Sequence, residues 1–166
     1  MSDLIADLYR QNEWANLRLI EVCRALPEDL LDATAVGSYG TIRDTLVHYV
    51  GGEQRYVRWL GGDLGGDLGI EPMRTGDAFP GFDYLIASVR ASASALTALA
   101  RSRPGSRVDR PGEKVDAEVI LVQAINHGAE HRSQICTILT ALGVTPPELD
   151  GWTWGEADGR IEYSEG

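Results

Sequence analysis

The chain of 166 residues has three histidines, and their spacing is that of metal ligands. His127 and His131 lie four residues apart in the stretch AINHGAEHRSQICTILTALG, which has helical periodicity. That spacing puts both imidazoles on one helical face, where they can bind the same cation. His48 lies in a second helical stretch, TIRDTLVHYVGGEQRYVRWL. Three histidines from two helices leave a coordination position open, which is typical of a reactive metal rather than a structural one.

The helical patterns place the three histidines differently. His127 and His131 fall in the middle of the apolar stripe of their helix, so both are expected to be buried. A buried imidazole needs partners for both ring nitrogens, and a shared cation supplies one of them. His48 lies about 120° from the centre of its own apolar stripe. Its participation therefore requires that this helix present two faces to its neighbours.

Four long helices are predicted, and no strand. Their bounds are about 2–26, 41–60, 82–102 and 116–142, followed by a tail at 146–166 without clear periodicity. Ser2 is the predicted N-cap of the first helix, whose apolar stripe begins with Leu4 and Leu8. The connection over 61–80 is Gly-rich and long enough to cross the bundle, so the second and third helices can run parallel. The prediction is an all-α four-helix bundle forming a single domain over 1–166.

Composition excludes several classes of function. A net charge of −10 and a pI near 4.7 argue against nucleic-acid binding, which needs a clustered basic face. The stretch RSRPGSRVDR is predicted to be a solvated loop, or alternatively a holder of an anionic substrate group. No apolar run approaches the ~20 residues of a membrane span, and the N-terminus lacks a basic signal region. We expect a cytoplasmic protein with a small-molecule substrate and no membrane partner.

The two cysteines are not assigned to the site. Cys23 and Cys136 both lie within amphipathic helical patterns and are predicted to be small buried side chains without a disulfide. Cys136 is five residues beyond His131, which directs it away from the ligand face. No side chain emerges as the nucleophile, so the catalytic residues stay unassigned.

Several polar residues on the helices are candidates for the surroundings of a metal. Gln134 lies three residues beyond His131 on the same face and is a candidate to support a ligand or line a pocket. Asn12 lies on an apolar stripe, where it is either hydrogen-bonded in the core or facing a pocket. Glu53 lies about 140° around the helix from His48, so it cannot share the cation. As a buried acid Glu53 needs a partner, either Asn12 or an arginine.

Two further positions suggest how the helices pack. Gly52 is four residues beyond His48 and is predicted to clear space beside that imidazole, either for a metal-bound ligand or, more commonly, for a neighbouring helix. A glycine inside a helix costs ~1 kcal/mol relative to alanine, so its presence needs such a reason. Arg132 points about 100° away from His131, and a structural salt bridge is its expected role.

The motifs around these residues resemble those of the DinB/YfiT-like superfamily. The matching stretches are NEWAN at 12–16, TIRDTLVHYVGGEQRYVRWL at 41–60 and HGAEHRSQICTILTALGVTPPELDGW at 127–152. Members are four-helix bundles with an unusual crossover, with one histidine on the second helix and H-x-x-x-H-R-x-Q-I on the fourth. The resemblance implies His48, His127 and His131 as metal ligands, the same residues that the spacing indicates.

The resemblance also implies a chemistry. Three imidazoles suit zinc, nickel, iron(II) or cobalt(II); zinc is the first choice and nickel, known from relatives, the second. Characterised relatives include metal-dependent transferases and isomerases that use thiols such as bacillithiol or mycothiol. The leading hypothesis is therefore a metal-dependent thiol transferase. A hydrolase with a metal-bound water and a non-catalytic, metal-stabilised module for binding or oligomerisation remain alternatives.

Relatives in this superfamily are often homodimers, and the resemblance therefore implies a possible homodimer here. The aromatic tail with Trp152 and Trp154 and the small residues of the third helix are compatible with that expectation.

Overall fold

The structure, a computed structural model, describes residues 3–61, 73–102, 105–110 and 112–163. Helices dominate these residues, which confirms the predicted all-α class. The elements are α1 (Leu4–Arg24), a short 3-10 helix (Glu28–Asp32), α2 (Ile42–Trp59), α3 (Phe82–Ser102), β1 (Arg107–Arg110), β2 (Glu113–Asp116), α4 (Ala117–Ala141) and α5 (Gly151–Ala157).

The four long helices pack in an order that differs from their order in the chain. α1 and α2 each pack against both α3 and α4, so α1 and α2 occupy opposite corners of the bundle. The ion pairs Arg24–Asp83 at 2.9 Å and Arg101–Asp3 at 2.6 Å join opposite ends of α1 and α3, which are therefore antiparallel. The first halves of α2 and α3 share one apolar cluster and their second halves share another. α2 and α3 thus run in the same direction, as a crossover connection allows.

Local sequence signals explain where the helices begin. Asp3 caps α1 by accepting a hydrogen bond from the backbone N–H of Ala6 at 3.2 Å, and the predicted cap Ser2 lies outside the described residues. Thr41 and Asp44 form a reciprocal capping box at the start of α2. This box fixes the first turn of the helix that carries His48. Of the predicted connection at 61–80, residues 62–72 lie outside the described part of the chain.

A β-hairpin replaces part of the predicted loop between α3 and α4. β1 and β2 are antiparallel, Val108 pairs with Val115, and Val108 is buried against the second apolar cluster. Four-residue strands are too short for an alternating pattern to stand out from a loop, which is why the prediction of no strand was wrong. The described arginines of this stretch bind carboxylates of the chain itself, so they do not form a free anion site: Arg101–Asp3, Arg107–Asp116 and Arg110–Glu113. Arg103 lies outside the described residues.

The C-terminal tail contains the short helix α5, which packs against α1. Asp150 caps it by accepting hydrogen bonds from the backbone N–H groups of Trp152 and Thr153. Just after α5, Arg160 donates to Asp7 of α1 at 2.8 Å. A helix of seven residues is too short to show periodicity, so the tail was predicted without a helix.

The burial of two groups of side chains differs from what the sequence suggested. Leu4 and Leu8 were predicted to be buried, but they are 69% and 46% exposed because the buried face of α1 passes through Ala6 and Tyr9 at this end. The small residues of α3, which were compatible with a dimer surface, are buried at positions such as Ser88 and Ser92.

No helix in the described ranges has the length and apolar character needed to cross a membrane.

Candidate metal centre

The bundle brings the three histidines together. His48 of α2 and His127 and His131 of α4 each offer a ring nitrogen, and these three atoms lie within 4.8 Å of one another. The Nε2 atoms of His48 and His127 are 3.1 Å apart. Zinc–nitrogen bonds of about 2.1 Å place the nitrogens of a tetrahedral site about 3.4 Å apart, so small side-chain rotations suffice to hold one ion. Within the described residues no aspartate, glutamate or cysteine joins the group.

The histidines meet because α2 packs closely on α4, and Gly52 allows this close packing. A Cβ atom on Gly52 would lie 2.6 Å from Cε1 of His127, which is closer than any such contact allows. Of the two uses predicted for the space beside Gly52, close packing of a neighbouring helix is the one observed: the glycine makes room for His127 of α4. α2 does present two faces to neighbours, and so His48 reaches the cluster from outside its apolar stripe.

Two of the histidines have partners that define which nitrogen faces the cluster. Nδ1 of His131 lies 2.9 Å from the side-chain oxygen of Gln134, which also accepts a hydrogen bond from the backbone N–H of Tyr39 at 3.1 Å. An amide oxygen can only accept, so Nδ1 of His131 carries the hydrogen and Nε2 keeps its lone pair. Nδ1 of His48 lies 3.3 Å from the hydroxyl of Thr75. Such outer partners orient imidazole ligands and raise their basicity.

Burial disfavours the charged form of His127 and His48. His127 and His131 are 9% and 5% exposed. Burial, followed by the nearby His131, His48 and Arg55, lowers the pKa of His127 to about 4. Burial also lowers the pKa of His48, with His131 and Arg55 contributing. Neutral imidazole is the form that binds metals, so the site is prepared for a cation at neutral pH. Nδ1 of His127 is buried without a hydrogen-bond partner among the described residues.

Aromatic rings enclose the cluster. The ring of Tyr39 stacks on His48 with centroids 4.0 Å apart and meets the edge of His131 at 5.5 Å. Tyr56 meets His127 edge-on at 5.7 Å. Tyr39 and Thr75, which both contact His48, also line a cavity of about 380 Å³.

Tyr39 and Thr75 were not found from the sequence. Both lie in loops, where hydrophobic periodicity says nothing about position. The available signal was an aromatic residue within the turn-forming stretch GSYG just before α2, since binding residues concentrate on loops held by rigid elements.

The predicted neighbours Asn12 and Glu53 lie behind the site rather than in it. The Asn12 amide donates to Glu53 at 2.8 Å, which confirms the expected buried partner. Arg132 is buried but donates to the side-chain oxygens of Asn12 and Asn16 at 2.7 and 2.5 Å. Asparagine amides thus lie where a direct salt bridge of Arg132 was expected.

The cysteines lie apart from the metal cluster. Cys23 is fully buried and Cys136 partly buried, and both are free thiols. Burial raises the pKa of Cys23 to about 12 and also raises that of Cys136. Neither thiol is a ready nucleophile, because the thiolate is the reactive form.

Comparison with known proteins identifies the fold and the family. A crystal structure of a DinB-like protein from Bacillus cereus superposes with a TM-score of 0.61, covering 84% of this chain and 91% of that one. The two sequences are 18% identical, so this likeness concerns the fold alone. No curated protein matches the sequence. The profile of the DinB family matches residues 1–160, nearly the whole chain. The chain belongs to the DinB family.

Proposed function

We propose that this DinB-family protein is a metal-dependent transferase that activates a low-molecular-weight thiol, of the kind represented by bacillithiol or mycothiol. The observation that carries the proposal is the cluster of three histidines, whose ligand atoms lie within 4.8 Å of one another. Three protein ligands leave a position for an exogenous ligand, as in catalytic rather than structural zinc sites. The cation is a divalent metal, with zinc the first choice and nickel the second.

The protein's own residues have defined tasks in this proposal. His48, His127 and His131 hold the cation, while Gln134 and Thr75 hold the outer nitrogens of two of them. A divalent cation in this position lowers the pKa of a thiol that binds it and so supplies a thiolate near neutral pH. The cavity of about 380 Å³ beside Tyr39 and Thr75 has the size of a small-molecule pocket. Arg55 places a positive charge close enough to His48 and His127 to contribute to their lowered pKa values.

Two features favour a thiol over water as the activated group. A metal-dependent hydrolase needs a general base near the cation, and among the described residues no carboxylate belongs to the cluster. The carboxylates that line the neighbouring cavity, Asp44 and Asp77, accept backbone N–H bonds from Thr41 and Arg74. Oε1 of the buried Glu53 accepts hydrogen bonds from Asn12 and Asn16. The protein also lacks a reactive thiol of its own, so an external thiol is the natural nucleophile.

A homodimer is part of the proposal. Five large apolar side chains of α1 and the start of α4 are 44% to 69% exposed: Leu4, Ile5, Leu8, Val119 and Val122. Exposed apolar patches of this kind mark interaction surfaces. We propose that a second copy of the chain covers this patch. The assembly is proposed as a two-fold dimer, in which the same patch of each copy is used.

Spectroscopic titration of the cobalt-substituted protein tests the thiol proposal. Cobalt(II) replaces zinc, and 2-mercaptoethanol is added as the probe. We expect a sulfur-to-cobalt charge-transfer band that saturates with thiol and is absent in a His48→Ala variant. The Cys136→Ser variant is the control for the protein's own thiol and should give the same band. A cobalt spectrum that does not respond to thiol would leave a metal-stabilised module without thiol chemistry.

A further inference from the structure

We propose that the buried network of Asn12, Asn16, Glu53 and Arg132 is a positioning device for the metal centre. It fixes the register of α2 against α4, and this register brings the histidines of the two helices together. The inference rests on the metal-binding part of the proposed function but not on thiol chemistry. None of the four residues is a ligand, so their effect on the site is carried by the helices.

The network joins three helices in the middle of the bundle. Nη1 of Arg132 on α4 donates to the side-chain oxygens of Asn12 and Asn16 on α1, at 2.7 and 2.5 Å. The amide nitrogens of the two asparagines then donate to Oε1 of Glu53 on α2, at 2.8 and 3.0 Å. All four residues are at most 5% exposed. Each amide is bonded through both its oxygen and its nitrogen, so the orientation of both asparagine side chains is fixed.

This geometry is linked to the histidines through adjacent backbone positions. Glu53 follows Gly52, whose missing Cβ accommodates His127, and Arg132 follows the ligand His131. Gly128, next to His127, contacts the network directly: a Cβ there would lie 2.9 Å from Nη1 of Arg132 and 3.0 Å from Oδ1 of Asn12. A shift of α2 by one residue moves it about 1.5 Å and turns it by about 100°. Such a shift would break the network and separate His48 from His127 together.

Stability alone does not account for four buried polar residues. Replacing buried charged groups by well-packed apolar side chains is often neutral or stabilising, whereas polar networks select one arrangement among several. Oε2 of Glu53 is buried without a hydrogen-bond partner among the described residues, so the network is not optimised for stability. Selection of one helix register is the role that fits these observations.

An apolar replacement of the whole network tests whether these residues set the helix register rather than the stability of the fold. The variant combines Asn12→Leu, Asn16→Leu, Glu53→Met and Arg132→Met. We expect it to fold with a thermal midpoint near or above that of the wild type, but to bind zinc at least ~10-fold more weakly in competition with a chelator. Its cobalt(II) absorption bands should also change, because the ligand geometry is no longer fixed. Wild-type zinc affinity and an unchanged cobalt spectrum would overturn the proposal.

Single variants keep the test decisive if the fourfold variant does not fold. Asn16→Leu breaks the network and should weaken zinc binding, whereas Glu53→Gln keeps the oxygen that accepts both amides and should retain near wild-type affinity. Leu96→Ala is the matched control, because Leu96 is fully buried in the second apolar cluster, away from the network. It should lower the thermal midpoint without lowering the zinc affinity of the folded protein. Equal losses of affinity in Leu96→Ala and Asn16→Leu would overturn the proposal, whereas a wild type that binds no metal would refute the proposed function itself.

Discussion

The second ring nitrogen of each histidine decides how well the first can bind a cation. In His131 this nitrogen is directed at Gln134, and in His48 at Thr75. Gln134 could be nominated from the sequence because a spacing of three keeps it on the ligand face of α4. Thr75 could not, because it comes from a segment brought to α2 only by the tertiary fold: Met73 donates its N–H to Gln54 and accepts from Arg55.

Replacing Gln134 by leucine should weaken metal binding. The change removes the acceptor that fixes the hydrogen of His131 on Nδ1, and loss of such a partner costs about 10- to 100-fold in metal affinity. Competition with a chromophoric chelator measures this. Gln11→Leu is the matched control, because Gln11 bonds the carbonyl of Leu149 away from the site. If both variants bind zinc like the wild type, Gln134 has no part in holding His131.

The cysteines should be inert in the folded protein. Cys23 is fully buried and its pKa is raised to about 12 by burial, so it is almost entirely protonated at pH 8. We expect a maleimide reagent to leave Cys23 unmodified in the native state and to modify it after denaturation, as measured by mass spectrometry. Rapid native modification of Cys23 would contradict its burial.

At the scale of the helices, the site depends on the close packing of α2 against α4. The sequence located both helices and the glycines of α2, because periodicity and helix-breaking residues are local signals. The sequence could not show which side chain fills the space beside Gly52, since that depends on how α2 packs against α4. Likewise, the hairpin β1–β2 and α5 were missed because elements this short leave no periodic signal.

A Gly52→Ala substitution tests this close approach. The added methyl group would lie 2.6 Å from Cε1 of His127, so the imidazole or the helix must move. We expect zinc affinity to fall and the thermal midpoint to drop, although alanine is the better helix former by ~1 kcal/mol. Gly151→Ala in α5 is the control, because no atom lies within 4 Å of its added Cβ. A Gly52→Ala protein with unchanged zinc affinity would show that α2 and α4 are farther apart than described.

At the scale of the whole molecule, the three-histidine cluster brings together helices that are far apart in sequence. His48 and His127 are separated by 79 positions, and a cation held by them would join α2 to α4. The all-α class followed from the sequence because long amphipathic helices are strong signals, and the DinB resemblance followed from the motifs around the histidines. The diagonal placement of α1 and α2 required tertiary contacts that no single helix encodes.

Metal removal should therefore destabilise the folded protein. A ligand that binds only the native state contributes about 2.7 kcal/mol when its free concentration is 100 times its Kd. We expect the thermal midpoint to fall on treatment with a strong chelator and to recover when zinc is restored. A midpoint that is the same with and without zinc would mean that the ion does not bind the native bundle.

The oligomeric state can be tested at the exposed patch of α1 and α4. We expect the wild-type protein to elute as a dimer in size-exclusion chromatography with light scattering, and a Leu8→Glu variant to elute as a monomer. Val36→Glu is the control, because Val36 is fully exposed and lies outside the patch. A monomeric wild type, or a Leu8→Glu variant that stays dimeric, would contradict the proposed interface.

The most direct test of the three-histidine centre is the metal content of the untagged protein, purified without chelator and measured by elemental mass spectrometry beside a His48→Ala variant. We predict close to one divalent metal per chain in the wild type, with zinc or nickel the expected element, and its loss in the variant. Loss through His48 alone would demonstrate a site that spans α2 and α4. A wild-type protein without metal, even after reconstitution with zinc or nickel, would contradict the metal centre and leave a helical module of another function.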